Sequence, residues 1–127
     1  MAGTIVSDTV QNGAGNSCTT TQTIFGSAKA WININAQSTS SIRDSYNVSS
    51  ITRVGTGQFN VSFTTAMSNA NYVVVAMPSS DFAAARYAYV DGTNTALTTT
   101  AFTIQMVIGN GASATDATYF GAVVFGS

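Results

Sequence analysis

The sequence has no histidine and no glutamate. Without histidine it lacks the commonest general base, the commonest metal ligand and the imidazole of the hydrolytic triads. Its side-chain carboxylates are Asp8, Asp44, Asp81, Asp91 and Asp116. A glycosidase needs two carboxyl groups about 5 to 9.5 Å apart. Each of these aspartates sits in a turn-like or polar setting that reads as an Asx turn or as solvated surface. A calcium site from Asp91, Asn94 and Asp116 would need about six to eight oxygens, and no dense acidic loop supplies them. Cys18 is the single cysteine, so there is no internal disulfide and no thiolate cage. Its neighbours Ser17 and Thr19 offer no base, and it reads as an inert small thiol. The stretches Gly13-Ala14-Gly15-Asn16-Ser17 and Gly109-Asn110-Gly111-Ala112-Ser113 lack the lysine of a phosphate-binding loop and read as turns. These absences point away from an enzyme and from any cofactor or bound metal.

Charge is scarce too. Charged residues make up 7% of the chain, against about 25% in ordinary domains. Lys29, Arg43, Arg53 and Arg86 lie far apart in the sequence and form no basic stripe, so no nucleic-acid partner is expected. No apolar run approaches the ~20 residues of a membrane helix, and no membrane partner is expected. The start, MAGTIVSDT, has neither a charged n-region nor an apolar h-region and does not read as a secretory signal. Pro78 is the single proline. With the adjoining Ser79-Ser80-Asp81 it marks a strand stop and a turn.

Hydrophobic residues reach 45%, and much of the rest is Ser, Thr, Asn and Gln. That balance suits a β protein with a hydroxyl-rich solvent face. A net charge of -1 gives little self-repulsion, and near-neutral surfaces tend to associate.

Residues 1–26 differ in character from the rest of the chain. Thr4 to Val6 has the makings of a short strand. The Gly/Asn stretch at 11–17 and the threonine tract at 19–21 oppose a helix and predict an extended arm, with Ile24 and Phe25 as later anchors. From Ser27 onward the apolar period is two. Ala28, Ala30, Ile32 and Ile34 share one strand face, while Lys29, Trp31, Asn33 and Asn35 share the other. Trp31 is the large apolar residue out of step. It either caps an edge, meets a partner or packs at the sheet rim.

Ile42 to Tyr46 and Val48 to Val54 read as two strands or one bent strand. A turn at Val54-Gly55-Thr56-Gly57 leads into Phe59, Val61 and Phe63, which alternate with Asn60, Ser62 and Thr64. The run Ala70 to Ala76, with Tyr72-Val73-Val74-Val75 inside it, suits a strand covered on both faces. These two strands are expected to form a central antiparallel pair. Phe82 to Val90 reads as a strand carrying Tyr87 and Tyr89, and Asp91 to Asn94 as a turn. Leu97 to Ile108 reads as a strand with Phe102, Ile104 and Met106 on one face. Thr118 to Phe125 reads as a buried strand with Tyr119, Val123 and Phe125 on one face. Tyr87, Tyr89 and Tyr119 together would make a platform for stacking sugars; ordinary sheet packing is the competing reading. Some eight or nine short strands with regular turns predict an all-β, antiparallel, jelly-roll-like β-sandwich over residues 27–127, preceded by the arm over residues 1–26.

Several blocks also carry a family resemblance. Gly26-Ser27-Ala28-Lys29-Ala30-Trp31-Ile32 is similar to the opening of a domain widespread in tailed bacteriophages. Ile42-Arg43-Asp44-Ser45-Tyr46-Asn47-Val48-Ser49-Ser50-Ile51 resembles its next block. Gly55-Thr56-Gly57, the run Phe59 to Met67 and Ala70-Asn71-Tyr72 continue it. The match is collinear over about residues 26–77, and the C-terminal half shares only its β-rich character. The resemblance implies a non-enzymatic virion structural protein that forms homotrimers. In that family the module occurs as a small stand-alone virion protein and at the end of fibre-like proteins. The expectation is therefore a capsid decoration (cement) protein on the particle surface. Its arm would bind the major capsid protein or another virion protein by strand addition. Ile5, Val6, Ile24 and Phe25 would be the anchors, with Trp31 as a further partner contact. The alternative is a tail-fibre, receptor-binding tip that recognises host surface glycans. No heptads precede residue 26, so that alternative needs attachment through the arm.

Overall fold

Two apolar faces with period two, written into the strands at 28–36 and 58–63, are what the fold brings together. The computed structural model describes residues 3, 5–79, 85–92, 97–109 and 113–126. Its elements, in order, are β1 (Thr9–Gln11), β2 (Ser17–Thr19), α1 (Thr20–Gly26), β3 (Ala28–Asn35), β4 (Ser41–Tyr46) and β5 (Val48–Gly55). Next come β6 (Gln58–Phe63), β7 (Val73–Pro78), β8 (Arg86–Val90), β9 (Ala101–Ile108), β10 (Ser113–Ala114) and β11 (Phe120–Phe125). The first sheet has the order β4-β3-β11-β7. The second has β5-β6-β9, with β8 on the far edge of β9 and the short β10 beside the end of β9. Every pairing among the described residues is antiparallel. The all-β antiparallel sandwich read from the sequence is the fold of the chain. β7 packs beside β8 across the edge of the two layers. β11 then returns next to β7, a Greek-key path.

The core lies between the layers. β3 contributes Ala30, Ile32 and Ile34, and β11 contributes Phe120, Ala122 and Val124. Facing them are Phe59, Val61 and Phe63 of β6 and Phe102, Ile104 and Met106 of β9. Phe59 and Phe120 meet edge-on across the layers at 6.2 Å, the geometry that aromatic quadrupoles favour. Phe63, Tyr72 and Phe102 form a second aromatic cluster. β4 and β5 are two strands, separated by Asn47 at φ 54°. Asparagine tolerates this left-handed conformation better than most residues. Its side chain also ties strand ends together, donating to the carbonyls of Lys29 (3.1 Å) and Thr65 (3.2 Å) and accepting from the Thr65 amide (2.7 Å).

Tyr72 supplies a pH signature. It is buried, and its hydroxyl donates to the Thr98 carbonyl at 2.8 Å. Burial pushes its phenol up from 10.0 to about 12. The unfolded chain releases this proton near pH 10, whereas the folded chain holds it. The contribution is therefore complete below pH 10 and lost as pH rises to about 12. Stability should therefore fall over that window. Urea unfolding at stepped alkaline pH should show this slope in the native protein and lose it in Tyr72→Phe.

Four expectations are corrected. First, β6 and β7 are not a pair. They lie in different sheets, and their burial is reversed: β6 is covered on most positions, whereas β7 is an edge strand with every second side chain exposed. β6 sits centrally between β5 and β9, so even its polar alternates are shielded. β7 has the right composition for burial but no layer over its outer side among the described residues. Second, β11 points Phe120, Ala122 and Val124 inward, so Val123 and Phe125, like the preceding Tyr119, lie away from the core. Third, residues 5–26 of the expected arm are not simply extended. Ile5 and Val6 are in no strand (Thr4 lies outside the described residues). β1 and β2 make a hairpin, and α1 comes directly after it. A capping box starts this helix: Thr19 Oγ1 accepts from the Gln22 amide at 3.1 Å, and Gln22 Oε1 accepts from the Thr19 amide at 2.8 Å. That reciprocal pair satisfies donors a helix start leaves free, and here it outweighs the weak helix propensity of threonine. Fourth, two aspartates are structural rather than solvated. Asp116 accepts from Arg53 Nη2 at 2.8 Å and from the Gly57 amide at 2.8 Å. Asp91 is buried and accepts from Gln58 Nε2.

Candidate interaction surface

The outward residues of the first sheet form an apolar face. Antiparallel register aligns Tyr46, Trp31, Val123 and Val75 in one row across β4, β3, β11 and β7. The next row holds Asp44, Asn33, Gly121 and Met77. Phe125 lies opposite Val73 at the far end. Val75 is 58% exposed and Met77 75%. Tyr46, Val73 and Tyr119 are more than half exposed, and Trp31 and Val123 are half-buried. Apolar patches of this kind mark interaction sites when they are contiguous.

A groove of about 730 Å³ is cut into this face. Gly121 has no side chain to fill the space between Asn33 and Met77, so it forms the floor. Trp31, Val75, Met77 and Tyr119 form the walls. Tyr119 is held by Arg43, whose guanidinium lies 4.3 Å from the ring centroid and also donates to the Thr118 carbonyl at 3.1 Å. A cation over a tyrosine face is attractive and fixes the ring's position.

The N-terminal segment is the second apolar surface. Of residues 5–27 only Thr20 is better than exposed, and it is half-buried. Ile5 and Val6 are 94% exposed, Ile24 56% and Phe25 53%. An isolated two-stranded hairpin is marginal in water, and so is a helix shorter than about 12 residues. Lys29 Nζ donates to the Ile24 carbonyl and holds the end of α1 near the start of β3. Ile24 and Phe25 line a smaller groove of about 560 Å³ with Lys29, Tyr46, Asn47 and Met67.

Of the residues expected at a partner contact, Ile24 and Phe25 thus share one groove and Trp31 lines the other. Tyr46 connects them, since it borders the first groove and heads the apolar row of the second. Ile5 and Val6 are exposed, apart from both. Sequence reading missed Tyr46, Val73, Val75 and Met77. For Val73 and Val75 the signal was present in the apolar run at 72–76, read as covered on both faces. The three tyrosines of the supposed sugar platform do not share a face. Tyr87 and Tyr89 lie opposite Val107 and Gln105 on the outside of the second sheet, whereas Tyr119 borders the groove of the first. Cys18 is exposed, with its Sγ 3.1 Å from Thr23 Oγ1. Asp116 is engaged by Arg53 and Gly57, and Asn94 of the supposed calcium set lies outside the described residues. Among the described residues no group of three or more acidic or cysteine side chains is placed to hold a metal ion.

Comparison with family models, with curated proteins and with solved structures finds no match for this chain. Its functional reading rests on these surfaces and on the resemblance over residues 26–77.

Proposed function

We propose that the protein is a non-enzymatic structural subunit of a tailed-bacteriophage particle, a capsid decoration protein that assembles as a homotrimer. One observation carries the self-assembly: the apolar outer face of β4-β3-β11-β7 has nothing over it among the described residues. Burying apolar area yields about 25 cal/mol per Å², and a contiguous exposed apolar patch marks an interaction site. A second copy provides that cover. Ile5 and Val6, exposed near the start of the N-terminal segment, supply further apolar anchors for neighbouring shell subunits, and repetition on a lattice multiplies weak contacts.

Light scattering on the dilute protein tests this. The expected mass is three times the 13.1 kDa of one chain. A single-chain mass throughout the micromolar range would overturn the self-assembly. A second reading, a fibre tip that recognises host glycans, is favoured by the outer side of the second sheet. There Tyr87 and Tyr89 are exposed, Tyr89 beside the half-buried, uncharged side chain of Gln105. Such a surface suits a neutral, hydroxyl-rich ligand.

A further inference from the structure

We infer that the assembly is head-to-tail: the N-terminal hairpin and helix of one copy, led by Ile24 and Phe25, seat in the Trp31–Met77–Tyr119 groove of the next copy. This rests on the self-assembly proposed above and names the occupant of its groove.

Among the described residues, the chain carries an apolar groove that it does not fill and, in Ile24 and Phe25, two large apolar side chains that it leaves more than half exposed. The two are chemically matched. No charged side chain lines the groove among the described residues, and Asp8 is the single charge in residues 5–27. Arg43 over Tyr119 and Asp44 beside Asn33 are charges at the groove's border, so docking within the groove itself desolvates few ions.

A chain's own helix is badly placed for its own groove. α1 ends at Gly26, β3 begins at Ala28, and Lys29 pins the Ile24 carbonyl. The groove extends to Asn33, about 16 Å further along the strand at ~3.3 Å per residue. Phe25 lies at the other end, in the groove with Met67 and Gly126. A neighbouring copy is under no such tether.

Area points the same way. Four strands at ~4.8 Å spacing and six residues at ~3.3 Å make a face of roughly 350 Å² in projection. A standard interface covers about 800 Å² of accessible surface on each partner, a measure larger than a flat projection because side chains stand out from the sheet, and the segment adds area beyond the face. The segment provides the second patch. A face pairing with itself gives a twofold dimer, whereas a patch pairing with a different patch gives a ring when the rotation between copies closes and an open filament when it does not. In a ring of three, every segment and every groove is occupied.

Two full-length variants test the inference, Phe25→Asp and Met77→Asp. Both alter side chains exposed in the single chain, and circular dichroism melts verify that each variant is folded. The first spoils the segment and keeps the groove; the second does the reverse. Native mass is read for each alone and for an equal mixture, at high protein concentration because a lone junction lacks the avidity of a closed ring. The expected result is a single-chain mass for each variant and a two-chain mass for the mixture. If Phe25→Asp alone stays trimeric, the segment is not in the interface and the inference fails while self-assembly stands. If Met77→Asp alone stays trimeric, the groove is not used and the inference fails likewise. If both are monomeric and the mixture remains so, the two patches do not meet. A monomeric native protein overturns both the inference and the assembly beneath it.

Discussion

Val75→Asp is expected to turn the proposed assembly into folded monomers. Val75 lies on edge strand β7 at the end of the row through Val123, Trp31 and Tyr46, and is 58% exposed in the single chain. In an assembly that covers this face, the aspartate would be a carboxylate buried without a partner. Leaving a charge unpaired in an interface costs about 3 to 5 kcal/mol, which is at least a hundredfold in association. In the free chain the same carboxylate faces water. There the substitution forfeits only strand propensity, at most about 1 kcal/mol. Sedimentation velocity should show the mass falling to one chain while the melting temperature of the dissociated protein shifts by only a few degrees. A variant that keeps the native mass would show that this face is not the contact.

The largest effect on folding is expected from Gly57→Ala. Gly57 has φ +63° and closes the tight turn between β5 and β6. A Cβ there would stand 2.1 Å from the Thr115 carbonyl oxygen and 2.7 Å from that of Met106. Both are backbone atoms held in the structure: the Met106 amide donates to Gly57 at 2.9 Å, and the Thr115 amide donates to Met106 at 3.2 Å. The Gly57 amide also serves Asp116, which in turn holds Arg53. One methyl group would therefore pry apart the β5–β6 turn, the end of β9 and this ion pair. Left-handed strain contributes about 1 to 2 kcal/mol and overpacking about 1 to 3 more. Set against a total of about 5 to 15 kcal/mol, thermal unfolding should move down by roughly 10 to 20 °C. Gly121→Ala is the control. Its Cβ would meet the nearest backbone oxygen at 3.6 Å, an ordinary contact, so its melting temperature should stay close to the native value.

Much of the sandwich is legible along the chain because one side of each central strand faces the core. The alternation of Ala30, Ile32 and Ile34 against Trp31 and Asn33 is the clearest case, and the burial of β3 obeys it. Thr19 and Gln22 also carry the capping-box spacing, but a threonine-rich tract hides that signal from a reading based on propensity. The misreading of Tyr72 to Ala76 has a different cause. Composition does not report whether a strand lies centrally or at a sheet edge, and β7 is an edge strand.

The sequence by itself determined the all-β class, the inward face of β3, β6 and β9, and the absence of histidine chemistry. Those stem from residue type and period, which are local. Only the tertiary structure decided that β6 and β7 belong to opposite layers, that Asp116 clips Arg53 to the Gly57 turn, and that Trp31, Val75, Met77 and Tyr119 border one groove. Each of these depends on register between strands distant in sequence. Such register is set by the joint packing of both sheets, which no single strand's pattern contains.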